Sequence, residues 1–192
     1  MIRCASLFVL LLVTPYLFAQ GAMQTAKWNI GVWVASATGQ EDRSSLFQAQ
    51  VWTSGINLGR IITDEAGKSL VRGRLEYGLN LVPIFASSGP KPIYGGGFEP
   101  IVLRWHFTHA RHVVPYIEVA GGGVFTAGNF PSGDTSNFNF TTRGGGGMEI
   151  FTSSRQAWDI ALQYLHMSNA NLGNENPAFN GIQLKIGYHW YK

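Results

Sequence analysis

A histidine stands two positions before a serine near the carboxyl end of this 192-residue chain, at His166 and Ser168. Serine is a weak nucleophile until a base removes its hydroxyl proton, and a neutral imidazole can do this near neutral pH. Side chains two positions apart in a β-strand lie on one face and can reach one another. If the segment is a strand, the pair predicts ester hydrolysis by a serine nucleophile with a histidine base.

The residues that precede the pair indicate which face of the strand carries it. Counting back from His166 in steps of two gives only large apolar or aromatic side chains, namely Tyr164, Leu162, Ile160 and Trp158. This pattern is typical of the lipid-facing side of a membrane barrel strand. The ester substrate would then be an acyl chain of a membrane lipid. Spacing alone also allows a second interpretation, in which both residues are interfacial polar side chains without a catalytic role.

Alternation with a period of two dominates the rest of the chain, and no apolar run is long enough for a membrane-spanning helix. Eight segments alternate in this way over about the length that a tilted strand needs to cross a bilayer: 28–38, 47–60, 69–81, 94–107, 113–125, 138–150, 157–168 and 180–191. Eight strands make the smallest common closed barrel. The predicted fold class is therefore all-β, an eight-stranded antiparallel outer-membrane β-barrel.

The connections between these segments predict the orientation of the barrel. One set is richer in Gly, Pro, Asn and Ser and mostly longer, at 39–46, 82–93, 126–137 and 169–179, and the other set is shorter, at 61–68, 108–112 and 151–156. In outer-membrane barrels the long connections are extracellular and the short ones periplasmic. Both termini are therefore expected in the periplasm, and the histidine and serine near the outer leaflet.

Charged residues on the faces opposite the apolar ones are expected to pair inside a filled barrel, because a buried charge needs a partner. These residues are Arg72, Arg74, Arg104, Arg143 and Lys185 on one side and Glu76, Glu99, Glu118, Glu149 and Asp159 on the other. Glu99 and Arg104 have opposite parity, so we expect the strand to slip by one residue between them, at Pro100. A soluble β-sandwich with solvated charged faces is the alternative, and it does not explain the aromatic-rich opposite faces.

Composition excludes several classes of function. Only 13% of the residues are charged, about half the usual share, while the mean hydropathy is +0.03. The net charge of +3 and the lack of any run of three basic residues exclude a nucleic-acid partner. His106, His109 and His112 lack metal-ligand spacing and are predicted to be solvated beside a turn. No metal and no cofactor are expected.

The first twenty residues are predicted to be a signal peptide, which leaves 21–192 as the barrel. Arg3 provides a basic start, an apolar run follows from Leu7 to Val13, and small residues come after it at Ala19 and Gly21. The single cysteine, Cys4, would be removed with this segment. No disulfide is then expected in the exported chain.

The carboxyl-terminal motifs resemble those of the lipid A 3-O-deacylase family, the PagL-type acyloxyacyl hydrolases. They are His166-x-Ser168-Asn169-Ala170, Asn176-Pro177, and a final strand that reads Leu184-x-Ile186-Gly187-Tyr188-x-Trp190. The resemblance implies an outer-membrane esterase that removes the 3-O-linked acyl chain from lipid A. It also implies that His166 is the base and Ser168 the nucleophile, while Asn169 and Asn176 position the site or bind the oxyanion.

The resemblance leaves the third catalytic residue open. The family has an acidic residue on the lipid-facing side at the start of the last strand, where this chain offers Asn180 and Ile182, and the only nearby acid is Glu175 in the preceding loop. Asn180 could orient His166, as an amide does in Cys-His-Asn sites, or Glu175 could fold over the site, or activity could be reduced or absent. Asn171 and Ala178 also stand where the family usually has Gly.

The leading hypothesis is therefore a lipid A 3-O-deacylase in the outer membrane, with lipopolysaccharide and the bilayer as its partners. Two alternatives remain at this stage. One is a non-catalytic structural or adhesion barrel, which the missing acid favours. The other is a different lipid-active barrel, a phospholipase or a palmitoyltransferase. The sequence also leaves open whether the barrel forms a homodimer.

Overall fold

The computed structural model describes residues 25–41, 48–88, 92–109 and 112–192, so the predicted signal peptide lies outside the described residues. The described chain forms eight strands: β1 (Trp28–Glu41), β2 (Gln48–Ile61), β3 (Gly73–Ser88), β4 (Ile93–Phe107), β5 (Val113–Thr126), β6 (Phe138–Ser153), β7 (Gln156–Ser168) and β8 (Phe179–Tyr191). Each strand pairs antiparallel with its neighbours in sequence, and β1 pairs with β8. The predicted eight-stranded closed barrel is confirmed. Among the described residues, no helix has the length and apolarity to cross a membrane.

The two faces of each strand have opposite character, as the alternation predicts. In β7, Asp159 and Gln163 point into the barrel and are buried, while Trp158, Leu162 and Tyr164 are about half exposed on the outside. Exposed aliphatic and aromatic side chains occur in the same way on all eight strands. An apolar band of this extent would be unfavourable in water and is stable in a bilayer. The alternative of a soluble sandwich is therefore wrong.

Ion pairs fill the middle of the barrel. Arg104 donates to one oxygen of Glu118 at 2.6 Å and to Glu149 at 2.9 Å. Arg143 donates to the other oxygen of Glu118 at 2.6 Å and to Glu99 at 2.6 Å. All five side chains are buried, where an unpaired charge is costly. The predicted pairing of inward charges is confirmed for these residues.

Further inward groups extend this network across β5, β7 and β8. Lys185 lies 3.2 Å from Asp159 and 3.3 Å from Glu118. The hydroxyl of Tyr116 donates to Asp159 at 2.5 Å, and Gln163 donates to Glu118 at 2.9 Å. Each carboxylate in the network therefore accepts hydrogen bonds from more than one strand, which fixes the register of those strands relative to one another.

Arg72 was predicted to point into the barrel, and this prediction is wrong. It precedes β3, which begins only at Gly73, and its side chain is 44% exposed and 3.6 Å from Glu65. Its neighbour Arg74 is buried and donates to the backbone carbonyl of Thr63 at 3.0 Å. The alternating pattern in the sequence includes Arg72, but a short 3-10 helix at 69–71 delays the start of the strand until Gly73.

His106 was predicted to be solvated beside a turn, and it is instead completely buried. Its Nε2 lies 2.8 Å from Glu76, and its Nδ1 lies 3.3 Å from Glu149. The ring therefore lies between two inward carboxylates, within ion-pair distance of both.

The strand slip predicted between Glu99 and Arg104 is confirmed. The register of β4 against β5 shifts between Phe98 and Ile101, and both Glu99 and Arg104 are buried. Phe98, Pro100 and Ile101 are all on the exposed side. Pro lacks a backbone donor and is tolerated where a ladder hydrogen bond is already missing.

Apolar clusters close the barrel above and below the ion pairs. One cluster lies at the end where the described chain begins and ends, and consists of Ala26, Ile61, Val114, Phe151, Ala157 and Tyr191. The other lies at the opposite end, here called the site end, and consists of Ala37, Ala49, Val51, Phe85, Val124, Phe130, Leu165, Met167 and Phe179. A cavity of about 30 Å³ beside Trp33 and Arg143 has room for little more than a water molecule. The described part of the barrel interior is therefore filled by packed side chains.

Two predicted connections have different lengths from those expected. The connection predicted at 82–93 is confined to 89–92, because β3 continues to Ser88, while the one predicted at 61–68 runs from 62 to 72. Pro83 lies within the predicted connection 82–93. In the structure it belongs to β3, on the exposed side, where the register of β3 against β4 is irregular. The contrast in loop length is therefore smaller than predicted.

Replacing Arg143 by Met tests the role of the buried ion pairs. The substitution leaves Glu99 and Glu118 short of a charged partner, so it should lower the free energy of unfolding by about 3–5 kcal/mol. Arg72→Met is the matched control and should cost no more than about 1 kcal/mol, since its side chain is largely exposed. The measurement is urea unfolding of the protein inserted in lipid vesicles. Equal unfolding midpoints for the two variants would contradict the account of the barrel interior.

Candidate active site

The end of β7 presents the predicted pair on the outside of the barrel. Leu165 and Met167 point inward and are packed in the apolar cluster at the site end. The opposite face of β7 carries His166 and Ser168, which are both half-buried. The inward residues therefore fix the backbone that carries the pair, and the pair faces away from the barrel interior, as predicted.

Asn180 lies directly opposite His166 in the pairing of β7 with β8. The Nδ1 atom of His166 is 2.8 Å from Oδ1 of Asn180, and its Nε2 is 3.2 Å from Oγ of Ser168. The three side chains form a continuous line of hydrogen bonds on the outer face, with the imidazole in the middle. This is the arrangement of a nucleophile, a base and a group that orients the base.

The amide oxygen of Asn180 determines which nitrogen of His166 carries the hydrogen. Because Oδ1 only accepts, the hydrogen of a neutral ring must lie on Nδ1 for this bond to form. Nε2 then has its lone pair directed at Ser168 and can accept the hydroxyl proton. The geometry therefore matches the tautomer that a general base requires.

Tyr164 is a fourth member of this cluster that the sequence analysis did not identify as functional. It lies on the same outer face of β7, and its hydroxyl donates to Oδ1 of Asn180 at 2.8 Å. In the sequence it was counted only as part of the lipid-facing stripe. Its contact depends on the pairing of two strands, which the spacing of residues along one strand does not indicate.

Asn169 anchors the loop that follows Ser168. It is completely buried, and its backbone N–H donates to Oδ1 of Asn176 at 3.0 Å. Its side chain donates from Nδ2 to the carbonyl of Glu175 at 2.7 Å and accepts at Oδ1 from the N–H of Asn171 at 2.9 Å. All of these groups are used within the loop, so its amide holds the shape of the loop.

Glu175 is held by the neighbouring loop between β5 and β6. Its N–H donates to the carbonyl of Asp134 at 2.9 Å. Its Oε2 lies beside Gly133, 3.0 Å from the position that a Cβ on that glycine would occupy. The structure therefore directs the Glu175 carboxylate toward Gly133, while Nδ1 of His166 is engaged by Asn180.

One departure from the family pattern has a simple conformational explanation. Asn171 has φ of 64° and Ala170 has φ of 50°, both in the left-handed region. Glycine adopts this region freely, and Asn is among the few other residues that visit it routinely. Asn171 can therefore occupy a position where Gly is usual without changing the path of the loop.

The part of the chain that the structure describes contains no group of three or more His, Cys, Asp or Glu side chains placed to hold a metal ion. The site itself consists of one imidazole, hydroxyl groups and amides. These groups are suited to nucleophilic ester cleavage.

An apolar groove of about 400 Å³ lies on the outer surface and is lined by residues of β1, β2, β3 and β8. Its walls include Val34, Trp52, Leu184 and Ile186. Leu184 is on the same face of β8 as Asn180, four residues further along the strand. The surface next to the site can therefore accommodate hydrocarbon.

Comparisons with known proteins agree with this fold. The family model for lipid A 3-O-deacylase (PagL) matches residues 22–189. The barrel is similar to the crystal structure of the outer membrane enzyme PagL, with a TM-score of 0.59 and 19% sequence identity over 81% of this chain and 97% of that one. It is also similar to Neisserial surface protein A, with a TM-score of 0.57 and 14% identity over 86% of this chain and 97% of that one.

Comparison with curated protein sequences gives no match. The two structural likenesses, at these low identities, support the barrel fold. The family model spans nearly all of the chain that follows the predicted signal peptide. It includes Tyr164, His166, Ser168 and Asn180. The chain belongs to the lipid A 3-O-deacylase (PagL) family.

Proposed function

We propose that this protein removes the 3-O-linked acyl chain of lipid A in the outer membrane by serine hydrolase chemistry, with Ser168 as nucleophile and His166 as base. The reaction follows from membership of the lipid A 3-O-deacylase family. The line of hydrogen bonds from Asn180 through His166 to Ser168 is the observation that supports these residues. Their position on the outer face, beside an apolar surface, fits a substrate that lies in a bilayer.

The reaction proceeds in two halves that use the same groups. Oγ of Ser168 attacks the ester carbonyl while Nε2 of His166 takes its proton. The bond from the carbonyl carbon to the 3-oxygen of lipid A then breaks, and this oxygen receives the proton from His166. The acyl chain is left on Ser168. A water molecule, deprotonated by His166, attacks the acyl-serine, and a 3-hydroxy fatty acid leaves as Ser168 regains its proton.

Asn176 is the side chain that we assign to the oxyanion. Its Oδ1 accepts a hydrogen bond from the backbone N–H of Asn169, because an N–H can only donate. Its Nδ2 is then left as a donor on an exposed side chain within the loop that follows Ser168. Asn169 acts by fixing this loop, because its own amide is engaged within it.

The site end of the barrel is proposed to lie at the outer leaflet, where lipid A is found. Two connections at this end, 127–137 and 169–178, are long; at the opposite end 62–72 is equally long, while 108–112 and 154–155 are short. The two connections at the site end also pack together, since Asn174 donates to Asp134 at 2.8 Å. Both ends of the barrel chain are then periplasmic, in keeping with the usual topology. All proposed catalytic groups come from one chain, so the reaction does not require the homodimer that the sequence left open.

Ser168→Ala should abolish ester cleavage, because alanine has no nucleophilic oxygen, and His166→Asn should lower turnover by roughly three or more orders of magnitude. Both side chains are outside the packed interior, so the barrel should fold normally. The assay incubates refolded protein with lipid A in detergent micelles and follows release of the 3-hydroxy fatty acid by mass spectrometry. Ser154→Ala, at the opposite end of the barrel, is the control. A Ser168→Ala protein that releases the acid at the wild-type rate would refute the proposed site.

The choice between Asn180 and Glu175 as the partner of His166 is tested by a second set of variants. Asn180→Ala removes the acceptor for Nδ1 and should lower kcat by about two to four orders of magnitude. Asn180→Asp keeps the acceptor and adds a negative charge beside the imidazolium that forms during reaction, so it should retain or raise kcat.

Glu175→Gln should change kcat by no more than about threefold, since its carboxylate is directed toward Gly133. Steady-state kinetics on micellar lipid A measures all three variants. A dead Glu175→Gln together with a fully active Asn180→Ala would reverse the assignment.

Asn176→Asp isolates the proposed oxyanion donor. The aspartate keeps an oxygen to accept from Asn169 but loses the Nδ2 donor, so the loop should hold its shape while kcat falls by about 100-fold or more. Asn176→Ala removes both contacts and should in addition lower thermal stability. The readouts are kcat and the unfolding temperature. Wild-type turnover by Asn176→Asp would show that the oxyanion is bound elsewhere.

A further inference from the structure

An amide in place of a carboxylate creates an ambiguity at this site. A carboxylate presents an oxygen to the histidine however it rotates, whereas an amide can present either Oδ1 or Nδ2. With Nδ2 facing His166, the amide would donate to Nδ1, and the ring hydrogen would move to Nε2. The ring could then donate to Ser168 but could not take its proton. Catalysis therefore requires something that holds Asn180 in one of its two orientations.

Tyr164 is placed to do this. Its hydroxyl donates to Oδ1 of Asn180 at 2.8 Å, and Nδ1 of His166 lies 2.8 Å from the same oxygen. Both neighbours of the amide oxygen are thus hydrogen-bond donors. If the amide turned over, the hydroxyl would face Nδ2, which is itself a donor, and the hydroxyl hydrogen would lose its acceptor.

The surroundings of Tyr164 make that loss unfavourable. The side chain lies on the lipid-facing side of β7, about half exposed and in line with Leu162 and Ile160. Its cross-strand neighbour on β8 is Ile182, which is also exposed on the outer face. A hydroxyl without an acceptor in an apolar environment is costly, and the cost acts only on the turned-over amide.

We propose that Tyr164 is a positioning residue that holds Asn180 with its oxygen toward His166 and so keeps His166 in the tautomer that can act as a base. This inference rests on the proposed function and deepens it, because it explains how a site with an amide in the third position can keep the correct tautomer. Tyr164 need not touch the substrate for this role.

A comparison of single and double variants tests the proposal through activity. Tyr164→Phe should lower kcat by about twofold, since without the tyrosine hydroxyl roughly half of the population would hold the wrong tautomer. In the Asn180→Asp background the same change should leave kcat unchanged, because a carboxylate has no donor to present. A residue that only packs or anchors the barrel in the interface would have the same effect in both backgrounds.

Tyr77→Phe is the matched control. Tyr77 is also about half exposed on the outer face, and its hydroxyl donates to the carbonyl of Pro100 at 2.7 Å, outside the site. The Tyr77→Phe variant loses the same kind of hydrogen bond, and the kcat of this variant should stay at the wild-type value. A loss of kcat in Tyr77→Phe equal to that in Tyr164→Phe would indicate a general effect on the barrel and would overturn the proposal.

Nitrogen NMR of protein labelled at its histidines provides a readout that does not depend on activity. The His166 signals are assigned by their absence in His166→Asn. We expect the hydrogen on Nδ1 in the wild type, a mixture of both tautomers in Tyr164→Phe, and Nδ1 again in the double variant with Asn180→Asp. The same His166 tautomer in the wild type and in Tyr164→Phe would overturn the role of Tyr164, even if the protein cleaves lipid A. The expected tautomer changes in a protein that does not cleave lipid A would support Tyr164 and refute the proposed function.

Discussion

The carboxylate of Glu118 at the centre of the barrel is bound by Arg104 of β4, Arg143 of β6 and Lys185 of β8. Breaking any one of these contacts leaves a charge in a dry interior, so strands far apart in sequence share one register. Register decides function here, because a slip of one residue in a strand exchanges its two faces. In β7 such a slip would turn His166 and Ser168 into the packed interior and Leu165 and Met167 out to the lipid. The ion pairs inside the barrel therefore determine that the reactive pair is on the outside.

The outer face must satisfy two demands that conflict. It has to be apolar to lie in a bilayer, and it has to carry polar groups to perform a reaction. The structure meets both by placing the polar groups at one end of β7 and β8 and by satisfying them mutually. His166 and Tyr164 both contact the amide oxygen of Asn180, and the ring contacts Ser168. An amide in this cluster avoids a fixed negative charge at the lipid-facing surface, at the expense of the electrostatic stabilisation that a carboxylate would give to an imidazolium.

Properties that depend on alternation along a single strand could be predicted from the sequence, and properties that depend on which strands meet could not. The period of two correctly indicated the barrel, the outward His166 and the slip near Pro100. It failed for Arg72, because a local 3-10 helix delays the start of β3 until after this residue. His106 was assigned to solvent because it lies beside a predicted turn, although it has the same parity as the inward Arg104 and is buried between Glu76 and Glu149. The sequence also left Asn180 and Glu175 as competing partners and passed over Tyr164, since only the pairing of β7 with β8 brings these side chains together.

The central claim is that Ser168 is a nucleophile activated by His166 at the lipid-facing surface, and covalent labelling tests it most directly. Folded protein in micelles is treated with an alkyl fluorophosphonate, which reacts with activated serine hydroxyls, and the modified residue is located by peptide mass spectrometry. The account predicts one modified serine, Ser168, and loss of this labelling in His166→Asn and on prior addition of excess lipid A. Labelling of a different serine, or labelling of Ser168 that is as fast in His166→Asn as in the wild type, would contradict it.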